Sequence, residues 1–202
     1  MPGGKGDSQV RADESGPARD QQPVQDGRSY QLESARLEFL PAPGRLDPPH
    51  GELHLWRLTA SATALRRVLA VYLDGRPESI RLERGEGGKP RLAERPPRLE
   101  FNLSHSGDLA LVAVSAEHEV GVDVERVRPR RGASFYRRWA RHEAHVKCLG
   151  SGLLRARRAR LEPVAVGSVD VGPGYAAAVA ARAGELPPLK GWTFGPPRPK
   201  AG

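Results

Sequence analysis

Apolar positions are sparse and aperiodic over the first 50 residues, where Gly, Pro, Gln and charges of both signs alternate. That pattern predicts a disordered tail over 1–50, with at most a weak strand at 35–40. Periodicity begins at ELHLWRL, residues 52–58, whose alternation reads as a strand. ATALRRVLAVYL follows, and Leu65, Val68, Leu69 and Tyr72 give it one apolar stripe at helical spacing. SIRLER and LALVAVS then read as strands. A second run repeats the order: a strand VGVDVERV, a helix SFYRRWARHEAHVKCLG, and strands RLEPVAV and GYAAAVAARA. In this helix Ser134 is the expected N-cap and Gly150 the terminator. The closing strands share a Gly turn followed by small apolar residues, SGDLALVAVS against GPGYAAAVAA. The expected fold is therefore α+β, a pseudo-twofold pair of similar halves at 51–116 and 117–186 with a cleft between them. A Pro-rich extension, PPLKGWTFGPPRPKAG at 187–202, is expected to be irregular beyond Trp192.

Composition narrows the class. Cys148 is the single cysteine, which excludes an internal disulfide and a thiolate metal cage. No apolar run approaches the ~20 residues that span a bilayer, and the N-terminal segment has no apolar stretch of the signal-peptide kind. The expectation is a cytoplasmic protein with no membrane partner, acting as a monomer because two halves in one chain supply the cleft. The net charge is +8, and from Arg126 to Arg160 twelve Arg and Lys face one acid, Glu143. Such a block suits a polyanion, a phosphorylated cofactor or an acidic protein. Nucleic acid is not the expected partner, because aromatics make up 5% of the chain and are too scattered for base-stacking platforms.

Three segments carry chemistry. In GGKPRL, residues 87–92, glycines permit close backbone approach and Lys89 can set a point charge on a phosphate. In FNLSHSGD, residues 101–108, Asn102, Ser104, His105 and Ser106 bring donors to a strand end that enters a Gly turn. A Ser104–His105 nucleophilic pair is excluded because adjacent strand residues point to opposite faces. The third is VGVDVERV with WARHEAHVK. Asp123 and Glu125 lie two apart on one strand face, about 7 Å along it, and Glu143 shares a helical face with Tyr136, Ala140 and Lys147. If the helix packs across the strand, three carboxylates meet and call for a cation. Oxygen-only ligation with room for water and phosphate suits Mg²⁺. HEAH, residues 142–145, has its histidines at i and i+3, not the i and i+4 of zinc peptidases, and is not a zinc site.

In this order the segments GGKPRL, FNLSHSG, VGVDVERV and FYRRWARHEAHVKCLGSGL resemble the 4′-phosphopantetheinyl transferase superfamily, surfactin-synthetase-activating type, over residues 52–184. The resemblance implies a pseudo-dimeric α+β fold with coenzyme A in the cleft and Mg²⁺ on its pyrophosphate. The phosphopantetheine arm would pass to a serine of an acyl- or peptidyl-carrier protein, releasing adenosine 3′,5′-bisphosphate. It further implies Asp123, Glu125 and Glu143 as metal ligands and Ser104 and His105 as phosphate contacts. Lys89 and Pro90 would lie near the adenine and its phosphate, and Lys147 beside the reacting phosphate. Glu143 or a metal-bound water would take the serine proton, making Glu143, Lys147 and His105 the catalytic set. Departures from the pattern are His142 where a lysine usually precedes the metal glutamate, and shortened segments between Val127 and Phe135 and between Leu58 and Ala64. The second shortening removes arginines that hold the 3′-phosphate of coenzyme A, with Arg57, Arg66 or Arg67 as candidate replacements. These losses leave a non-catalytic relative that binds coenzyme A or a carrier as the alternative.

Overall fold

A computed structural model describes residues 34–85, 88–93, 99–150 and 163–194. In chain order it contains β1 (Ala35–Arg36), β2 (Phe39–Pro41), β3 (Leu53–Thr59), α1 (Ala64–Leu73), a 3-10 turn at Pro77–Ser79, β4 (Leu82–Arg84), β5 (Pro90–Leu92), β6 (Glu100–Ser106), β7 (Leu109–Ser115), β8 (Val120–Arg126), α2 (Gly132–Leu149), β9 (Val164–Asp170), β10 (Tyr175–Arg182) and β11 (Leu189–Thr193). The strands form a sheet β2-β11-β3-β7-β6, a sheet β1-β9-β10-β8 and a small β4-β5 ribbon.

Three apolar layers hold these elements as helix, sheet, sheet, helix. The stripe of α1 (Leu65, Val68, Leu69, Tyr72) meets Trp56, Val112 and Val114 on the outer face of the first sheet. The two sheets face one another through Leu53, Leu55, Leu109 and Leu111 on one side and Val120, Val122, Val124 and Val179 on the other. Behind the second sheet, Ala140, Ala144 and Cys148 of α2 pack on Ala178 and Ala180. Such small side chains let the helix lie close. At Gly121 the approach is closer still, because a Cβ there would stand 2.0 Å from the Ala144 carbonyl oxygen. No other residue fits beneath α2 at that point, so this glycine fixes where the helix crosses β8.

The strand order recurs. In the first sheet β3, which precedes α1, pairs antiparallel with β7, and β7 with β6. In the second, β8 precedes α2 and pairs antiparallel with β10, and β10 with β9. Several expected elements differ, however. The middle strand of the first run is FNLSHS, and SIRLER supplies only the three residues of β4 in a separate ribbon. Isolated apolar residues in SIRLER could not distinguish a strand from a connection.

Both ends of the chain carry strands where they are described. Residues 35–41 form β1 and β2, one in each sheet, and β11 runs through Leu189–Thr193 between β2 and β3. Pro187 and Pro188 precede this strand, where proline costs no ladder bond, and it ends one residue past Trp192, beyond which irregular chain was expected. Residues 1–33 and 195–202 lie outside the described residues. Ser134 does not cap α2. The helix starts at Gly132 after Arg131, with no side-chain cap, while Gly150 ends it at φ 65° as expected. Among the described residues no helix is long and apolar enough to cross a membrane.

Candidate active site at the seam between two sheets

β6 and β8 are the outer strands of their sheets, and they lie side by side without a backbone ladder. Side chains replace it. Asn102 Oδ1 accepts from the Val122 N–H at 3.0 Å, Ser104 Oγ from Val124 at 3.3 Å and Ser106 Oγ from Arg126 at 3.0 Å. Every second residue of β6 therefore satisfies an outward amide on every second residue of β8, at a constant offset of 20 residues. The tight Gly107-Asp108 loop, with φ +59° at its first residue, sends β7 back from this edge.

The seam places Ser104 against Asp123. Ser104 Oγ donates to Asp123 Oδ1 at 2.9 Å, and Lys147 Nζ donates to the same Oδ1 at 2.6 Å and to Ser104 Oγ at 3.2 Å. A hydroxyl has one proton and two lone pairs, so Ser104 is saturated by Asp123, Val124 and Lys147. Asp123 is only 3% exposed, and its Oδ2 is buried with no hydrogen-bond partner. Two residues along, Glu125 is half-buried. Burial, and then the Asp123 charge, push its pKa above the ordinary value, while hydrogen bonding from the Trp139 indole, the Lys147 charge and Ser106 pull the other way.

Gly121, Asp123 and Glu125 share the face of β8 that α2 covers, as alternation requires. The close approach at Gly121 brings Lys147 to Asp123 and Trp139 to Glu125. Glu143, on the intervening turn, is half-buried. The expected convergence of Asp123, Glu125 and Glu143 into one ligand cage is not what the structure presents. Among the described residues no three His, Cys, Asp or Glu side chains are grouped to hold a metal. An ammonium, Lys147, neutralises Asp123 instead.

Other expected site residues sit apart from this cluster. His105 is exposed on the opposite side of β6 from Ser104. Lys89 Nζ donates to the Val120 carbonyl at 3.1 Å, at the head of β8, and Pro90 opens β5. The candidate replacement arginines all have local partners: Arg57 Nε donates to the Val171 carbonyl, Arg66 Nε to that of Ile80, and Arg67 lies over the Phe194 ring. A groove of about 620 Å³ opens beside Arg66, Glu78, Arg81 and Glu83, and of the expected residues it touches the candidate replacement Arg66 and none of the motif residues. Sequence reasoning missed the roles of Asn102, Ser106, Gly121 and Trp139. The polar row at 102, 104 and 106 in an otherwise apolar setting was a legible signal that this strand edge meets backbone.

A family model described as 4′-phosphopantetheinyl transferase, N-terminal, matches residues 57–117. The chain is 30% identical to the 4′-phosphopantetheinyl transferase HetI of Nostoc, an alignment covering 59% of this chain and 60% of that protein. It is 37% identical to the 4′-phosphopantetheinyl transferase AcpT of Salmonella typhi, over 45% of this chain and 59% of AcpT. With human L-aminoadipate-semialdehyde dehydrogenase-phosphopantetheinyl transferase it shares 29% identity, over 57% of this chain and 49% of that one. The chain thus spans about half to three fifths of the length of these relatives. The motif order, the α+β fold and these matches together support similarity of the chain to the 4′-phosphopantetheinyl transferase superfamily.

Proposed function

We propose that the chain transfers the 4′-phosphopantetheine arm of coenzyme A to a serine of an acyl- or peptidyl-carrier protein, in a Mg²⁺-dependent reaction. The observation that carries this reading is the buried Asp123 carboxylate with one unpartnered oxygen, beside Glu125 and Lys147 on the motif-bearing strand and helix. A divalent cation fits that donor set. Asp123 Oδ2 lacks a donor, Glu125 feels the Asp123 charge, and both offer the hard oxygens Mg²⁺ takes. Asp123 and Glu125 would hold it. When bound, the ion would offset negative charge on a pyrophosphate.

The chain's own residues supply position and charge. The serine oxygen forms a bond to the β-phosphorus of coenzyme A as the bond to the bridging oxygen breaks. Adenosine 3′,5′-bisphosphate leaves with that electron pair, and Glu143 takes the serine proton. Lys147 offers an ammonium for the reacting phosphoryl group, and exposed His105 a ring nitrogen for a second phosphate oxygen. Ser104 acts one step back, orienting Asp123 and Lys147.

The test is incubation with coenzyme A, Mg²⁺ and several apo-carrier proteins, read by mass spectrometry. A carrier gains one phosphopantetheine, and Asp123→Asn loses at least about 100-fold in rate, a change of about 2.7 kcal/mol. No gain on carriers that a relative modifies refutes transfer. The five-residue connection 127–131 between β8 and α2 favours a second reading, a relative that binds without transfer. Coenzyme A binding without mass gain would support it.

A further inference from the structure

Asp123 is almost wholly buried, and a carboxylate in that position is costly unless a cation stands against it. Lys147 meets that need through one oxygen only. Asp123 and Glu125 can carry two negative charges between them, and Lys147 returns one positive charge. The cluster is therefore short of positive charge even with its ion pair formed, and the unpartnered Oδ2 marks the side where it is short.

The two members of the pair differ in freedom. Asp123 is fixed by β8, by the Ser104 hydroxyl and by burial, with its side chain 5% exposed. The Lys147 side chain is 30% exposed, on a flexible four-carbon stem. A divalent ion on Asp123 would repel an ammonium 2.6 Å from the same carboxylate oxygen, so the two compete for one anion. Only the lysine can yield.

We propose that Lys147 is a built-in counter-ion, held on Asp123 in the cation-free chain and displaced toward solvent when a divalent cation binds. This rests on reading Asp123 and Glu125 as cation ligands. Its consequence is an ordered site. The lysine keeps the buried aspartate neutralised during folding, and cation loading releases an ammonium at the rim, where a phosphoryl oxygen would meet it. No proton changes hands, since the lysine moves as an ammonium.

Mn²⁺ is the probe, titrated into the full chain without coenzyme A or carrier and followed by the electron paramagnetic resonance signal of the free ion. Lys147→Met keeps the stem and removes the competitor, and is expected to bind Mn²⁺ at least 10-fold tighter than the wild type. Its melting temperature is expected to fall without metal and to recover more on Mn²⁺ addition than the wild type's. Equal or weaker affinity in Lys147→Met overturns the counter-ion proposal while leaving the cation site intact. Should Lys147→Met fail to fold, Lys147→Arg decides. Its guanidinium can hold a carboxylate in bidentate fashion, so Mn²⁺ affinity is expected to fall at least 3-fold, and unchanged or tighter binding counts against displacement. Mn²⁺ binding that Asp123→Asn leaves unchanged, or none in any of the proteins, overturns the cation reading itself.

Discussion

Two buried polar clusters occupy the two sheets, and they are built to opposite rules. Behind the first sheet, Trp56 Nε1 donates to the Tyr72 hydroxyl at 2.8 Å, and the hydroxyl meets His54 Nδ1 at 2.7 Å. His54 Nε2 reaches Glu52 Oε1 at 2.8 Å. The indole can only donate, so the Tyr72 proton goes to Nδ1 and the imidazole proton to Glu52. The polar side-chain atoms of Trp56, Tyr72 and His54 are all used, and aromatic edges of Trp192 and Trp56 close around them, although the Trp192 indole N–H itself has no partner. Behind the second sheet, Asp123 ends in an oxygen with no donor, and burial, then the Asp123 charge, disfavours the charged form of Glu125. A closed network specifies a core. An open one, on the function proposed above, leaves an oxygen for a cation.

The largest expected effect comes from breaking the platform of the open cluster. Gly121→Val puts branched carbon into the Ala144 carbonyl and the Cys148 amide, both backbone, so neither can rotate away. Destabilisation of about 3 kcal/mol or more is expected, the upper range for overpacking, together with loss of Mn²⁺ binding. A variant that melts with the wild type would mean that α2 does not cross β8 where described. Tyr72→Phe breaks the closed cluster instead. It strands the Trp56 N–H and the His54 ring nitrogen, and about 2 kcal/mol of stability is expected to go. Mn²⁺ affinity should stay as it was. If it shifted with stability, the two clusters would not be independent and the contrast would collapse.

How much of this was legible follows from what a pattern can encode. The α1 stripe and the alternation of VGVDVERV survive as buried faces because period alone decides them. The pairing of Asp123 and Glu125 on one face was likewise a matter of parity. Partner choice was not. Lys147 lies where the sequence reading put it on α2, yet whether its ammonium meets a phosphate or Asp123 depends on the helix crossing, which Gly121 sets by close contact. Ser104 was read as a ligand contact for its hydroxyl. The structure makes it a seam residue, because the outward amides of β8 have no strand to pair with and take side-chain oxygens instead. The first-sheet network was invisible for the same reason, as nothing in ELHLWRL says that His54 will find Tyr72 across to a helix.

The smallest effect sharpens the comparison through pH. Burial, ahead of the opposing pull of Glu52, lowers the His54 pKa below its ordinary value of about 6.5. The unfolded chain therefore takes up a proton on this residue before the folded one does. The stabilising contribution of the neutral ring is complete above pH ~6.5 and is lost as pH falls through the folded pKa, because stability rises with pH wherever the unfolded state binds more protons. The network gives this a structural cause. A protonated ring must donate from Nδ1, which turns the Tyr72 hydroxyl into a double acceptor and leaves its own proton without the nitrogen it served. Urea unfolding at several pH values between 5 and 7.5 measures the slope. His54→Gln, though less stable throughout, is expected to show a shallower slope than the wild type over that interval, whereas Asp123→Asn should keep the wild-type slope. Parallel curves for wild type and His54→Gln would mean that the imidazole titrates alike in both states, and that the first cluster is not closed to protons after all.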